Sequence, residues 1–270
     1  MYIKRSRLTA ILTLIVSVLA IYASLKGVLD ENLYRDVYLA GSLPKALIGG
    51  SIAQDIVTIP LALLMGILSI AFLKKSSLKS FITIIGLATY TFYAFGLYTI
   101  QGQYTSIYII YLVIFSISIY SIVLGLLSFR PEEVKQFALP KKSLLATSIF
   151  LGMILFVLVP VWIIMMSSDI ARHIPADTYG VFILDLTIVF PALAIILISL
   201  WRKYPFGLIL AGVGLVKAFT VCLSWAFGEW FGSFYNANPL NYGMTAIPSM
   251  LTLIGSVVII IYLRGLHKIQ

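Results

Sequence analysis

Apolar residues fall along this chain in long continuous blocks, separated by short polar connections. Eight blocks are long enough to cross a bilayer as helices, near residues 8–28, 55–73, 80–100, 105–128, 144–166, 180–200, 205–228 and 243–263. A hydrocarbon core offers backbone groups no water, so only helices or closed barrels span it. A barrel strand would alternate apolar and polar positions, whereas these runs do not alternate. The pattern therefore predicts an all-α fold, a polytopic membrane helical bundle of about eight transmembrane helices. The connections are too short for a soluble domain.

Composition agrees, with 61% apolar residues, 11% charged residues and a mean hydropathy of +1.04. A net charge of +9 could suggest nucleic acid as a partner, but its placement argues against that. If the first residues are cytoplasmic, one side of the membrane receives Lys4, Arg5, Arg7, Lys74, Lys75, Lys79, Arg130, Lys135, Lys141, Lys142, Arg202, Lys203, Arg264 and Lys268. Those are fourteen of the 19 basic residues, with only Glu132 and Glu133 of the 10 acids. Such asymmetry sets orientation in membrane proteins, and basic clusters there also attract anionic lipid. The expectation is a multi-pass protein of the cell membrane with both termini cytoplasmic. Its partners are the lipid bilayer and a small solute, ion or lipid ligand, with no nucleic acid; the oligomeric state stays open.

The chain also resembles itself. QDIVTIPLALLMGILSIAFLKKSSLKSFITIIGLATY matches LDLTIVFPALAIILISLWRKYPFGLILAGVGLVKAF. Each segment has an Asp at the entry of a span (Asp55, Asp185), a Pro soon after (Pro60, Pro191), a basic turn, and a Gly in the next helix (Gly86, Gly212). This predicts two four-span halves, residues 1–130 and 144–270, joined by a cytoplasmic linker at 131–143. An even number of spans per half makes the repeat parallel, as in some transporters. Each proline marks either an unwound segment beside a site or a packing kink. The long first outer connection carries a semi-apolar stretch, YLAGSLPKALIGG, expected to lie on or dip into the interface.

The candidate chemistry is sparse. Asp55, Asp185 and Lys217 lie within or at the lip of spans, where a charge costs at least about 2.5 kcal/mol and so faces a bundle interior with a partner. Asp185 and Lys217 are expected to share a polar cavity open to the outside, with Asp55 on its rim and Gln54 and Tyr93 adding polar groups. Cys222 is the only cysteine, and His173 and His267 lie at opposite faces, so a disulfide and a His-based metal centre are excluded. No cofactor is implied. HExxH, GxSxG and P-loop patterns are absent.

The QD of the second span, the YAFG stretch of the third and the LD…PA…LWRKYPFG run across the sixth and seventh resemble a widespread group of bacterial and archaeal integral membrane proteins with no assigned activity. The similarity extends over about residues 50–225, including Gln54, Asp55, Tyr93, Asp185, Pro191, Trp201, Arg202 and Gly207 but not Lys217. It implies a membrane bundle and draws attention to the two aspartates. Three readings remain. The first is a transport-related or ligand-sensing protein with an outward-facing cavity. The second is an outer-leaflet enzyme using Asp/Lys acid–base chemistry, although the missing motifs favour a non-enzyme. The third is a structural or partner subunit in which an Asp–Lys pair fixes helix register.

Overall fold

The computed structural model describes residues 3–269. It is an all-α bundle with eight helices long and apolar enough to cross a membrane. The spans are α1 (Ile3–Leu29), α3 (Lys45–Lys74), α4 (Leu78–Ile100), α5 (Tyr108–Leu126), α7 (Lys141–Arg172), a composite sixth span, α10 (Pro205–Tyr235) and α11 (Tyr242–Gly265). The sixth span consists of α8 (Tyr179–Leu184), a π-helical turn at Asp185–Val189, and α9 (Phe190–Trp201). Two short helices lie outside the spans, α2 (Asn32–Leu39) and α6 (Pro131–Val134). A two-residue antiparallel pairing of β1 (Phe137–Ala138) with β2 (His267–Lys268) ties the central linker to the C-terminal tail.

Three helices run further than their apolar blocks. The second span begins at Lys45 rather than near 55, with Pro44 before its first turn, where a missing N–H costs nothing. The ALIGG stretch expected at the interface thus forms the opening turns of α3. Its glycines do not break the helix because they serve as a contact surface: a side chain on Gly49 would come within 3.1 Å of the Gly232 backbone of α10. Likewise α10 continues through GEWFGSFY, a stretch that reads as loop in the sequence, and α7 runs on to Arg172. Helices of about 30 residues are about 45 Å long and reach beyond a hydrocarbon core of about 30 Å. Their polar ends therefore stand outside the hydrocarbon without penalty.

The most buried spans are α4 and α10, which run side by side through the centre. Each supplies a glycine that seats a β-branched side chain of the other, Val216 against Gly86 and Ile82 against Gly212. Around this pair, α5 packs mainly on α4 and α11 mainly on α10, α1 and α7 stand further out, and α3 touches both central helices, α10 more extensively than α4. Hydroxyls join α1 to α3: Ser17 donates to the Ala62 carbonyl at 2.6 Å, and Thr13 meets Ser69 at 2.9 Å. Such bonds suit a bilayer, where apolar surface gains little by leaving lipid and close packing with internal hydrogen bonds holds helices together.

Candidate functional site

The two prolines have different local effects. Pro60 sits within an unbroken α3. Pro191 lies at the start of α9, directly after the π-helical turn, in which the Phe190 N–H reaches back to the Asp185 carbonyl. A proline has no N–H for the ladder, and a wider turn absorbs the mismatch. This turn presents Asp185 towards the middle of the bundle, where it is 6% exposed.

Asp185 lines a cavity of about 490 Å³ that opens at the bundle end opposite the basic turns. Its walls come from α3, α4, α7, the sixth span and α10, and Asn236, Asn238 and Asn241 stand near the mouth. Most of the lining is apolar and aromatic. The Trp162 indole N–H donates to the Asp185 carboxylate at 2.8 Å, and the Trp225 indole N–H donates to Glu229 at 3.0 Å. The two tryptophan rings lie 5.7 Å apart, with Phe182 5.8 Å from Trp162. Lys217 lies deeper, its ammonium 4.4 Å from the centre of the Tyr93 ring. The cavity thus combines two carboxylates held by indoles, an aromatic wall and one ammonium at the base. Towards the basic end the bundle is filled by buried apolar side chains, among them Phe81, Phe150, Leu197, Leu200 and Ile209.

Four of the five residues singled out from sequence meet here: Gln54, Tyr93, Asp185 and Lys217 all line the cavity. Gln54 is anchored by donating to the Ala94 carbonyl at 3.0 Å. One geometric expectation fails, that of Asp55 on the rim. Asp185 and Lys217 share the cavity and form no ion pair within 4.0 Å among the described residues. Each has another partner, an indole N–H for the carboxylate and an aromatic face for the ammonium. Asp55 is not on the rim. One residue along α3 from Gln54 means about 100° around the helix, which turns Asp55 away from the cavity into a separate buried cluster with Tyr34 and Tyr98.

Sequence reading missed Trp162, Trp225 and Glu229. Positions 217, 221, 225 and 229 follow one another at four-residue spacing, so Lys217, Val221, Trp225 and Glu229 form one stripe of α10 facing the cavity. Ending the seventh span at 228 cut that stripe just before its carboxylate. Trp162 carried no local signal, because a tryptophan in an apolar run reads as an ordinary membrane residue. Among the described residues no group of His, Cys, Asp and Glu is arranged to hold a metal ion. Compared with known proteins, the chain matches no protein-family model, no curated protein and no solved structure.

Proposed function

We propose that this membrane protein binds a small organic ligand with an alkylammonium group and takes part in its transport or sensing. One observation carries the reading: two carboxylates, each fixed by a tryptophan N–H, stand beside the rings of those same tryptophans in a single open cavity. Aromatic faces attract cations through the negative potential above the ring, and do so more strongly when water is excluded. The carboxylates supply charge, the indoles hold them in place, and the apolar wall accommodates alkyl substituents. Lys217 at the base suits an anionic group on the same molecule, so a zwitterion fills the cavity better than a simple cation. The sealed basic end fits one state of a carrier or a closed sensing pocket.

The distribution of basic residues supports an orientation with the mouth outside and both termini in the cytoplasm. Within each set of four helices the pairings correspond, α4 with α5 as α10 with α11 and α3 with α4 as α9 with α10, which supports the parallel repeat, although α3 also packs on α10 with no counterpart between α9 and α4. The acid–base enzyme reading gains no comparable support. Lys217 and Asp185 form no ion pair within 4.0 Å among the described residues, so no acid and base stand directly paired there.

The test uses the protein's own fluorescence, since Trp162 and Trp225 are two of only four tryptophans. The full chain in lipid nanodiscs is titrated with a panel of trimethylammonium and amino-acid-like zwitterions, and with their uncharged carbon analogues. Saturable quenching by the charged compounds is expected, weakened about 10-fold or more in Trp225→Leu and in Glu229→Gln. Equal responses to the neutral analogues, or unchanged affinity in both variants, would rule the reading out.

A further inference from the structure

Asp55 occupies a second polar site, separated from the cavity by the thickness of α3. It is 1% exposed, and hydroxyls surround it. Tyr34 of α2 donates to one carboxylate oxygen and Tyr98 of α4 donates to the other at 3.2 Å. Ser24 of α1 also faces it. No ion pair among the described residues includes Asp55. A carboxylate at membrane depth without a cation costs kilocalories, so this environment needs one positive charge to be complete.

A second, independent observation gives the site a path. The carbonyl oxygen of Gln103 is buried without a hydrogen-bond partner, and the buried hydroxyls of Ser24, Thr105 and Tyr111 have no hydrogen bond of ordinary length and angle, although Ser24 faces Asp55 and Tyr111 faces Thr105 and Tyr34. An unpaired buried group costs about 1–3 kcal/mol, and a run of loosely bonded hydroxyls ending at a bare carbonyl oxygen leaves polar capacity for a small ion. Tyr111 lies between Tyr34 and Thr105. Thr105 in turn lines a small cavity of about 150 Å³, whose walls include Asp30 and Asp36. An acidic vestibule, then Thr105, Tyr111 and Tyr34, thus lead in sequence to Asp55.

We propose that Asp55 is a binding site for a monovalent cation, a proton or Na⁺, which enters from the vestibule beside α2. Hydroxyls can serve either ion. Ser24 and the tyrosines accept from a protonated carboxyl as readily as they donate to an ionised one, and their oxygens and the carboxylate are hard ligands for Na⁺. The ionisable neighbours are Tyr34 from α2, Tyr90 and Tyr98 from α4, and Tyr111 from α5. From α10, Lys217 and Glu229 face the other cavity. From α1, Lys26 is paired with Asp30 at 3.3 Å. Burial first, and then the Asp55 carboxylate, hold the Tyr34 phenol well above its ordinary range, so Tyr34 stays a donor. The site also adjoins the larger cavity. Gln54, next to Asp55, lines that cavity, as does Tyr90, which hydrogen-bonds Thr58 one turn along α3 at 2.8 Å.

The full chain in nanodiscs is melted across a pH series at fixed salt, and across a Na⁺ series with K⁺ as replacement at fixed ionic strength and neutral pH. A cation that binds only the folded protein raises its melting midpoint. The expected result is a rise of several degrees in the wild type on acidification (the proton arm) or with Na⁺ (the sodium arm), lost in Asp55→Asn. Ser24→Ala retains the carboxylate and should weaken the apparent cation affinity about 10-fold. Infrared difference spectra of the wild type provide a readout independent of any variant, since either ion changes the carboxylate bands. The proposal fails if the wild type's midpoint and carboxylate bands are unmoved by both series, or if Asp55→Asn keeps the full response.

Discussion

Asp55 and Asp185 enter their spans in similar sequence settings, yet they sit in opposite environments. Each is followed within six residues by a proline and then by an apolar helix and a basic turn. Above Asp55 lies α2, whose Leu33, Tyr34 and Val37 are buried and whose Tyr34 closes over the carboxylate. Above Asp185 the connection from α7 to α8 forms no helix, and the cavity stays open. The partners follow from that difference. The covered carboxylate is held by small hydroxyls in close packing, while the open one is held by an indole whose ring also lines the cavity wall. One short extra helix converts an open, ligand-sized recess into an ion-sized one.

The sharpest way to break this contrast is to crowd each side by one methyl group. A β-carbon on Gly27 would collide with the Asp55 carboxylate and lie 2.9 Å from the Tyr34 hydroxyl. Neither can retreat, since both are buried and bonded to one another. Gly27→Ala is expected to destabilise by about 3 kcal/mol, at the upper end of ordinary overpacking. Gly228 lines the open cavity and has nothing within 4 Å of its would-be β-carbon. Gly228→Ala should stay within about 0.5 kcal/mol of the parent. Thermal unfolding in one detergent compares the two, and equal losses would show that the recess around Gly228 is closed in solution.

The next comparison removes one hydroxyl from each carboxylate's surroundings. Tyr34→Phe leaves a buried Asp55 short of a donor that no water can easily replace, for an expected loss of about 2 kcal/mol. Tyr93→Phe alters the ring beside Asp185 and Lys217, but water in the open cavity can take the place of its hydroxyl, so about 0.5 kcal/mol is expected. Chemical unfolding of both variants should reproduce that order. The reverse order would mean that the vestibule beside α2, rather than the large cavity, is the well-hydrated site.

Much of this architecture was legible in the sequence, for physical reasons. Span count follows from hydrophobic length, because lipid penalises every polar backbone group left unpaired. The positions of Asp55, Asp185 and Lys217 at membrane depth followed from the same penalty. What sequence could not supply was direction around a helix near its end. Gln54 and Asp55 are adjacent, yet α3 turns them into different sites, and only the tertiary neighbours Tyr34 and Ala94 decide which is which. Helix ends were also hidden. Hydropathy stops where the hydrocarbon stops, whereas α3 and α10 continue through Gly, Ser and Glu because they pack against one another at Gly49 and Gly232. Glu229 was lost for that reason.

The finest comparison concerns Asp185 and Lys217, which share one cavity while each charge has a partner of its own. If the two closed directly on one another in a dry interior, removing one would strand the other at about 3–5 kcal/mol, and a double-mutant cycle would return a large coupling. Across an open cavity, beyond contact distance and with water between them, the attraction falls to about 1 kcal/mol or less. Stability measured for Asp185→Asn, Lys217→Met and the double variant should therefore be nearly additive, while ligand quenching is lost in Asp185→Asn with the fold intact. A coupling of about 3 kcal/mol would mean that the charges meet in the absence of ligand. The cavity would then be held shut by its own ion pair, and a zwitterion would enter by replacing each half of that pair with one of its own charges.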